Sequence, residues 1–252
     1  MADFGSNSEQ PTGALRQTHG IPPPQHPYEQ AFELGFESLL SRRLTDDFLN
    51  AVGAERRANA IRLPALNRYL LVDTDSREVL VEGVGRARLA WAILALHHLC
   101  ADDASLDTRE VSLAHFPDCR GYLSVFNNRI VRRFLATSGK DPEVFSERAE
   151  RVGGVPLCPL GAESGAQVAA AVGYRFDVFP RVPIVIVRYA GDDELGPGAS
   201  VVYRADAYRL LPAEDRIVAA ELVLDALSGR SMEEPVVSSE VKNSGDSSLR
   251  SE

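Results

Sequence analysis

Two adjacent histidines, a stripe of three arginines and a cluster of three acids are the groups in this chain whose types and spacing could do chemistry. His97 and His98 close a run, residues 86–100, in which Leu89, Trp91, Ile93, Leu94, Leu96 and Leu99 leave no broad wet face, so a buried helix is expected there. A histidine in such a place can be a ligand or proton carrier, or a hydrogen-bonded core or helix-end residue. The pair does not chelate one ion, because neighbours on a helix point about 100° apart and a metal asks for three or four ligands. Arg129, Arg132 and Arg133 lie beside the apolar stripe Leu123, Phe126, Ile130 and Phe134 of an amphipathic helix over 122–136. That cationic edge could hold a carboxylate or phosphate in a groove; the alternative is a solvated face paired with acids. Asp192, Asp193 and Glu194 share a loop with three glycines and a proline, which suits turn-forming acids better than a calcium site, since alternating oxygen ligands and a closing bidentate acid are missing. Cys100, Cys119 and Cys158 are too widely spaced for a disulfide framework or a zinc knuckle.

The elements that must position these groups are centred on residues 179–215. Ile184, Val185, Ile186 and Val187 form a β-branched run suited to a strand covered on both faces, and we expect it to be the central strand over 183–189. Phe179, Pro180, Arg181 and Val182 read as an exposed turn before it, and residues 200–204 as its antiparallel partner after the acidic loop. Alternation of Tyr174, Phe176 and Val178 against Arg175 and Asp177 predicts a further paired strand in which Arg175 and Asp177 share a face and form an ion pair. Pro212 suits a first helical position, followed by Glu214 and Asp215 at the positive end of the dipole, a face of Ile217, Leu222, Val223, Leu224 and Leu227, and a stop at Gly229.

Upstream, residues 27–43 read as a helix with Glu29, Glu33 and Glu37 facing water, and a short helix follows a Thr45 cap and ends near Gly53. Strands are expected at 61–63, 69–72 and 79–81, the last two as a hairpin. Residues 106–116 read as a strand ended by Pro117, residues 141–153 as a helix capped by Asp141, and residues 153–161 as a loop whose glycines lack the Gly-Lys-Ser/Thr ending of a phosphate loop.

The run Phe179-Pro180-Arg181-Val182-Pro183, then Gly191-Asp192-Asp193-Glu194, then Tyr208-Arg209-Leu210-Leu211-Pro212-Ala213-Glu214-Asp215 resembles the closing half of the bacterial and archaeal family called domain of unknown function 3786. Leu94-Ala95-Leu96-His97-His98-Leu99 is similar to that family's Leu-His-Tyr-Leu helix, with His98 at the aromatic position. The resemblance covers roughly residues 27–230 and implies no established activity. It does imply a redox or corrinoid setting, because some members are fused to a cysteine-rich four-iron four-sulfur domain. This chain departs from those members in lacking the cysteine quartet, and Arg204 stands where many relatives carry an Asp.

Composition bounds the rest. Tails at 1–26 and 231–252 are polar and expected to be disordered, leaving one α+β domain over 27–230 with a mostly antiparallel sheet and helices packed on it. The leader lacks the apolar run of a signal peptide, and no segment is long and apolar enough to span a bilayer, so a cytoplasmic protein is expected. A net charge of -9 argues against general nucleic-acid affinity. No enzyme motif and no cofactor site is legible. Two functions of different class stay open: a non-catalytic binding or accessory domain for a partner or cofactor-bearing protein, and an enzyme or binder that uses His97, Arg129, Arg132 and Arg133 on an anionic ligand.

Overall fold

In the computed structural model, which describes residues 26–101, 107–157, 171–191 and 196–235, strand β9 (Val182–Tyr189) is the middle of a five-stranded antiparallel sheet. Its order is β6 (Glu110–Ser112), β10 (Gly198–Arg204), β9, β8 (Ala171–Phe179) and β7 (Val155–Pro156). Ile184 and Ile186 face the core opposite Tyr203 and Val201 of β10, and every one of these four side chains is buried. Val185 and Val187 are also buried, on the opposite face of the strand, so the prediction of a strand covered on both faces holds. Arg175 and Asp177 form the expected ion pair on β8, at 3.3 Å.

A second antiparallel sheet is a meander of β1 (Glu55–Arg57), β2 (Ala60–Ala65), β3 (Arg68–Asp73), β4 (Glu78–Val81) and β5 (Gly85–Arg86). Alternation places Ile61, Leu63, Leu70, Val72, Val79 and Val81 inward. The two sheets join where the Leu66 N–H donates to the Asp177 carbonyl at 3.0 Å, and one continuous hydrophobic cluster runs through both. This is a single α+β domain.

Helices close the core. Helix α1 (His26–Leu40) packs on α3 (Leu89–Cys100), with Gly35 allowing close approach: a Cβ there would lie 3.1 Å from Leu96. Thr45 caps α2 (Asp46–Ala51) by accepting from the Phe48 N–H, as expected. The predicted helix over 122–136 is present as α4 (Leu123–Phe126) and α5 (Arg133–Ala136) joined by a π-helical stretch, Asn127–Arg132, and Leu123 is exposed rather than on the buried stripe. Helix α6 (Pro142–Arg151) is capped by the Asp141 carboxylate. The short α7 (Ala207–Leu210) leads to α8 (Ala213–Leu227), where Pro212 is the cap residue itself and not the first helical one.

Three expectations are corrected. The turn at 179–182 is not exposed as a whole: only Pro180 faces solvent, while Phe179, Arg181 and Val182 are buried because the hairpin tip is pressed against α2 and α3. The strand expected over 106–116 shrinks to β6, since the chain turns into 3-10 segments at Leu113–His115 and Pro117–Tyr122. Residues 155–156 are not loop but the edge strand β7. The expectations for the leader, the tail beyond Pro235, Cys158 and the acids at 192–194 lie outside the described residues.

Candidate functional site

Helix α8 carries an acidic stripe, Asp215, Glu221 and Asp225, and each predicted cation but one is bound to it. His97, in the last turn of α3, is bonded through Nδ1 to the Asp215 carboxylate. A carboxylate only accepts, so Nδ1 carries a proton. Nε2 has no hydrogen-bond partner among the described residues, and the side chain keeps 29% of its surface open. The His97–Asp215 pair joins the two motifs that carried the family resemblance, 118 residues apart in the chain.

Arg129 grips Glu221 in a fork, Nε and Nη2 each donating to a different carboxylate oxygen at 2.5 Å. That pairing holds the Arg129 proton more firmly than usual. Arg133 donates to Asp225, which also accepts from Arg88 at 3.1 Å and Arg230 at 3.4 Å. Burial pushes the Asp225 carboxyl up, but the hydrogen bonds from Arg133 and Arg88 outweigh it and leave the group below its ordinary value. Arg132 is exposed and outside both pairs. The structure therefore brings His97, Arg129 and Arg133 to one helix, each bound to its own acid, and leaves Arg132 apart.

His98 faces the opposite way and is fully buried. Its Nε2–H donates to the Val52 carbonyl at 3.0 Å, its ring lies 5.1 Å from that of Phe179, and Nδ1 has no partner. Burial, reinforced by the Arg181 charge and opposed by the Val52 bond, pushes the imidazole down to about 3. Arg181, 6% exposed, reaches from the hairpin tip to donate to the His98 carbonyl at 2.9 Å, so a cation satisfies the carbonyl end of α3. Phe179 meets Trp91 edge-on, with centroids 6.1 Å apart. The Phe-Pro-Arg run thus acts as a plug against α3 and the turn that follows α2.

Sequence reasoning missed a second buried cation. Arg216 is fully buried and donates to the Leu211 carbonyl at 2.8 Å, to Asp118 at 2.6 Å and to the Cys119 sulfur at 3.0 Å, with its guanidinium 4.5 Å from the Phe116 ring centre. Burial pushes the Cys119 thiol up despite that neighbour, which makes it a poor nucleophile. Nothing in the local pattern distinguished Arg216 from an exposed helical arginine; its partners lie almost a hundred residues upstream.

Among the hollows on the surface of the described residues are one of about 710 Å³ over Phe32, Val79 and Leu89, one of about 830 Å³ over Val111, Phe116 and Tyr208, and one of about 340 Å³ over Pro183 and Val185 between Arg175 and Arg204. His97, Arg129 and Arg133 line none of these three. No group of three or more metal-ligating side chains occurs among the described residues, and no helix among them is long and apolar enough to cross a membrane.

Fold and site together define a single α+β domain of paired antiparallel sheets in which His97, Arg129 and Arg133 are each bound to an acid of one helix. The chain belongs to the family described as "Domain of unknown function (DUF3786)", whose model matches residues 46–226. No curated protein and no solved structure matches it.

Proposed function

We propose that this protein is a non-catalytic binding or accessory domain that recognises a protein partner. One observation carries the reading: Arg129 and Arg133, the cations best placed to seize an anionic ligand, are each held by a carboxylate of α8. A ligand phosphate or carboxylate would have to displace Glu221 from a fork of two charge-assisted bonds, at a cost of about 1 kcal/mol because Arg129 is 44% exposed and the pair is screened by solvent. A cofactor-bearing redox or corrinoid protein is the partner class that the family's fusions suggest. A cytoplasmic setting accords with the lack of a membrane-spanning helix among the described residues.

A second reading rests on His97. The His97 side chain keeps part of its surface open while Asp215 fixes the ring, the arrangement of a general base, so an enzyme acting on a ligand near the ends of α3 and α8 is the alternative. A native mass spectrum with a UV-visible spectrum, taken on protein purified from its own host without oxygen, separates the two. A stoichiometric complex with a cofactor-bearing protein, unchanged in the Arg129→Ala/Arg133→Ala double variant, is expected. A retained small anion that the double variant loses without loss of folding would overturn the accessory reading.

A further inference from the structure

A smaller hollow, of about 230 Å³, opens where three distant parts of the chain meet: the turn between β2 and β3, the end of α6 and the end of α8. Arg68, Arg151 and Arg230 line it, one from each part, with Val152 and Met232 among its apolar residues. Asn67 ties two of the parts together, its Nδ2 donating to the Arg151 carbonyl at 2.8 Å, and a Cβ on Gly153 would stand 2.9 Å from the Asn67 Cβ.

Arginines beside helix ends ordinarily serve the last carbonyls. These do not. The last four carbonyls of α6 are taken by the backbone amides of Val152, Gly153 and Gly154 and by Asn67, and those of Leu224, Asp225 and Ala226 in α8 by the amides of Ser228, Gly229 and Arg230. Arg68 is exposed and makes no hydrogen bond or ion pair among the described residues, although its charge is felt at Glu233. Arg151 lies 4.0 Å from Glu147, itself 77% exposed, and Arg230 lies 3.4 Å from an Asp225 already held by Arg133 and Arg88. With Arg88 and Arg133 included, five arginines meet the acids Glu147, Asp225 and Glu233 and two helix ends, each worth about half a negative charge. The neighbourhood stays positive in a chain whose net charge is -9.

We propose that Arg68, Arg151 and Arg230 form a binding site for a phosphate group, carried by free phosphate or by a small phosphomonoester. A tetrahedral oxyanion offers oxygens in several directions and accepts from guanidiniums arriving from three sides, whereas one fork saturates a planar carboxylate. The volume is smaller than the roughly 300 to 1,000 Å³ of ordinary small-molecule sites, which sets the ligand as a phosphate with at most a short organic body. The site uses none of His97, Arg129 and Arg133, so it stands apart from the accessory reading.

Isothermal titration calorimetry of the full chain at neutral pH and low salt tests it, with inorganic phosphate, methyl phosphate and acetate as probes. One saturable site is expected for the phosphates, and whichever of the two binds tighter identifies the source of the group. Arg68→Gln, Arg151→Gln and Arg230→Gln should each weaken binding at least about fivefold with an unchanged urea midpoint, while Arg120→Gln, an exposed arginine elsewhere, should leave it within about twofold. Absence of saturable phosphate binding, acetate binding as tightly, or an equal loss in Arg120→Gln overturns the proposal. Phosphate binding that survives the three Gln variants and disappears in Arg129→Ala/Arg133→Ala overturns both this proposal and the accessory reading.

Discussion

Replacing His98 with Phe should remove about 2 kcal/mol of the stability that this fold loses between pH 8 and pH 5. His98 is buried against Phe179 with Arg181 beside it, and its protonation is pushed from 6.5 to about 3. In the unfolded chain the same ring takes its proton near 6.5. Between those values the unfolded state binds more protons than the folded one, so stability is fully present above 6.5 and falls as pH drops toward 3. From pH 8 to pH 5 the loss is about 2 kcal/mol, a figure insensitive to how low the buried value lies, because the folded histidine stays unprotonated throughout that window. Phe fits the aromatic neighbourhood and removes the unpartnered Nδ1, but it leaves the Val52 carbonyl without its donor, a cost of about 1 to 2 kcal/mol at pH 8. Urea unfolding followed by the fluorescence of Trp91, the sole tryptophan and packed on Phe179, reads both effects. The variant should be the weaker protein at pH 8 and should lose about 2 kcal/mol less than the parent on going to pH 5. Parallel pH profiles for the two proteins would refute the assignment of that proton to His98.

Further outcomes follow from the same contacts. Gly53→Ala should cost about 2 to 3 kcal/mol, since Gly53 sits at φ +76° and a Cβ would stand 2.4 Å from the Pro180 Cβ; a denaturation midpoint equal to the parent's would contradict a hairpin tip pressed onto α2. Asp118→Ala should destabilise by about 3 kcal/mol by leaving the buried Arg216 charge uncompensated, although Asp118 itself is half exposed, and urea titration measures it. Adding Arg216→Met should recover much of that loss in a double-mutant cycle.

How far the sequence could be read depended on range. Strands β8, β9 and β10, the cap at Thr45 and the buried face of α8 follow from periodicity and capping, which neighbouring residues encode. The helix over 122–136 was also legible, but not its π-helical stretch or the exposure of Leu123, because a 3.6-residue template assumes one hydrogen-bond register throughout. His97, Arg129 and Arg133 were singled out by type and position, yet their partners Asp215, Glu221 and Asp225 lie 92 to 118 residues away, so only the fold could show that each charge is already spoken for. Arg181 misled for a related reason. A proline and an arginine at a turn look solvated, and nothing local says that the turn will be driven into an apolar seam with its guanidinium aimed at a helix end.

That plug also orders events in time. The carbonyl of His98 that ends α3 waits for a side chain encoded 83 residues later. During synthesis the meander, α1 and α3 emerge from the ribosome well before β8 and β9, and at about 5 to 20 residues per second the delay lasts several seconds. Over that interval Trp91 lacks Phe179 and the end of α3 lacks its cation, so the contacts that close this side of α3 form only after the second half of the chain is made.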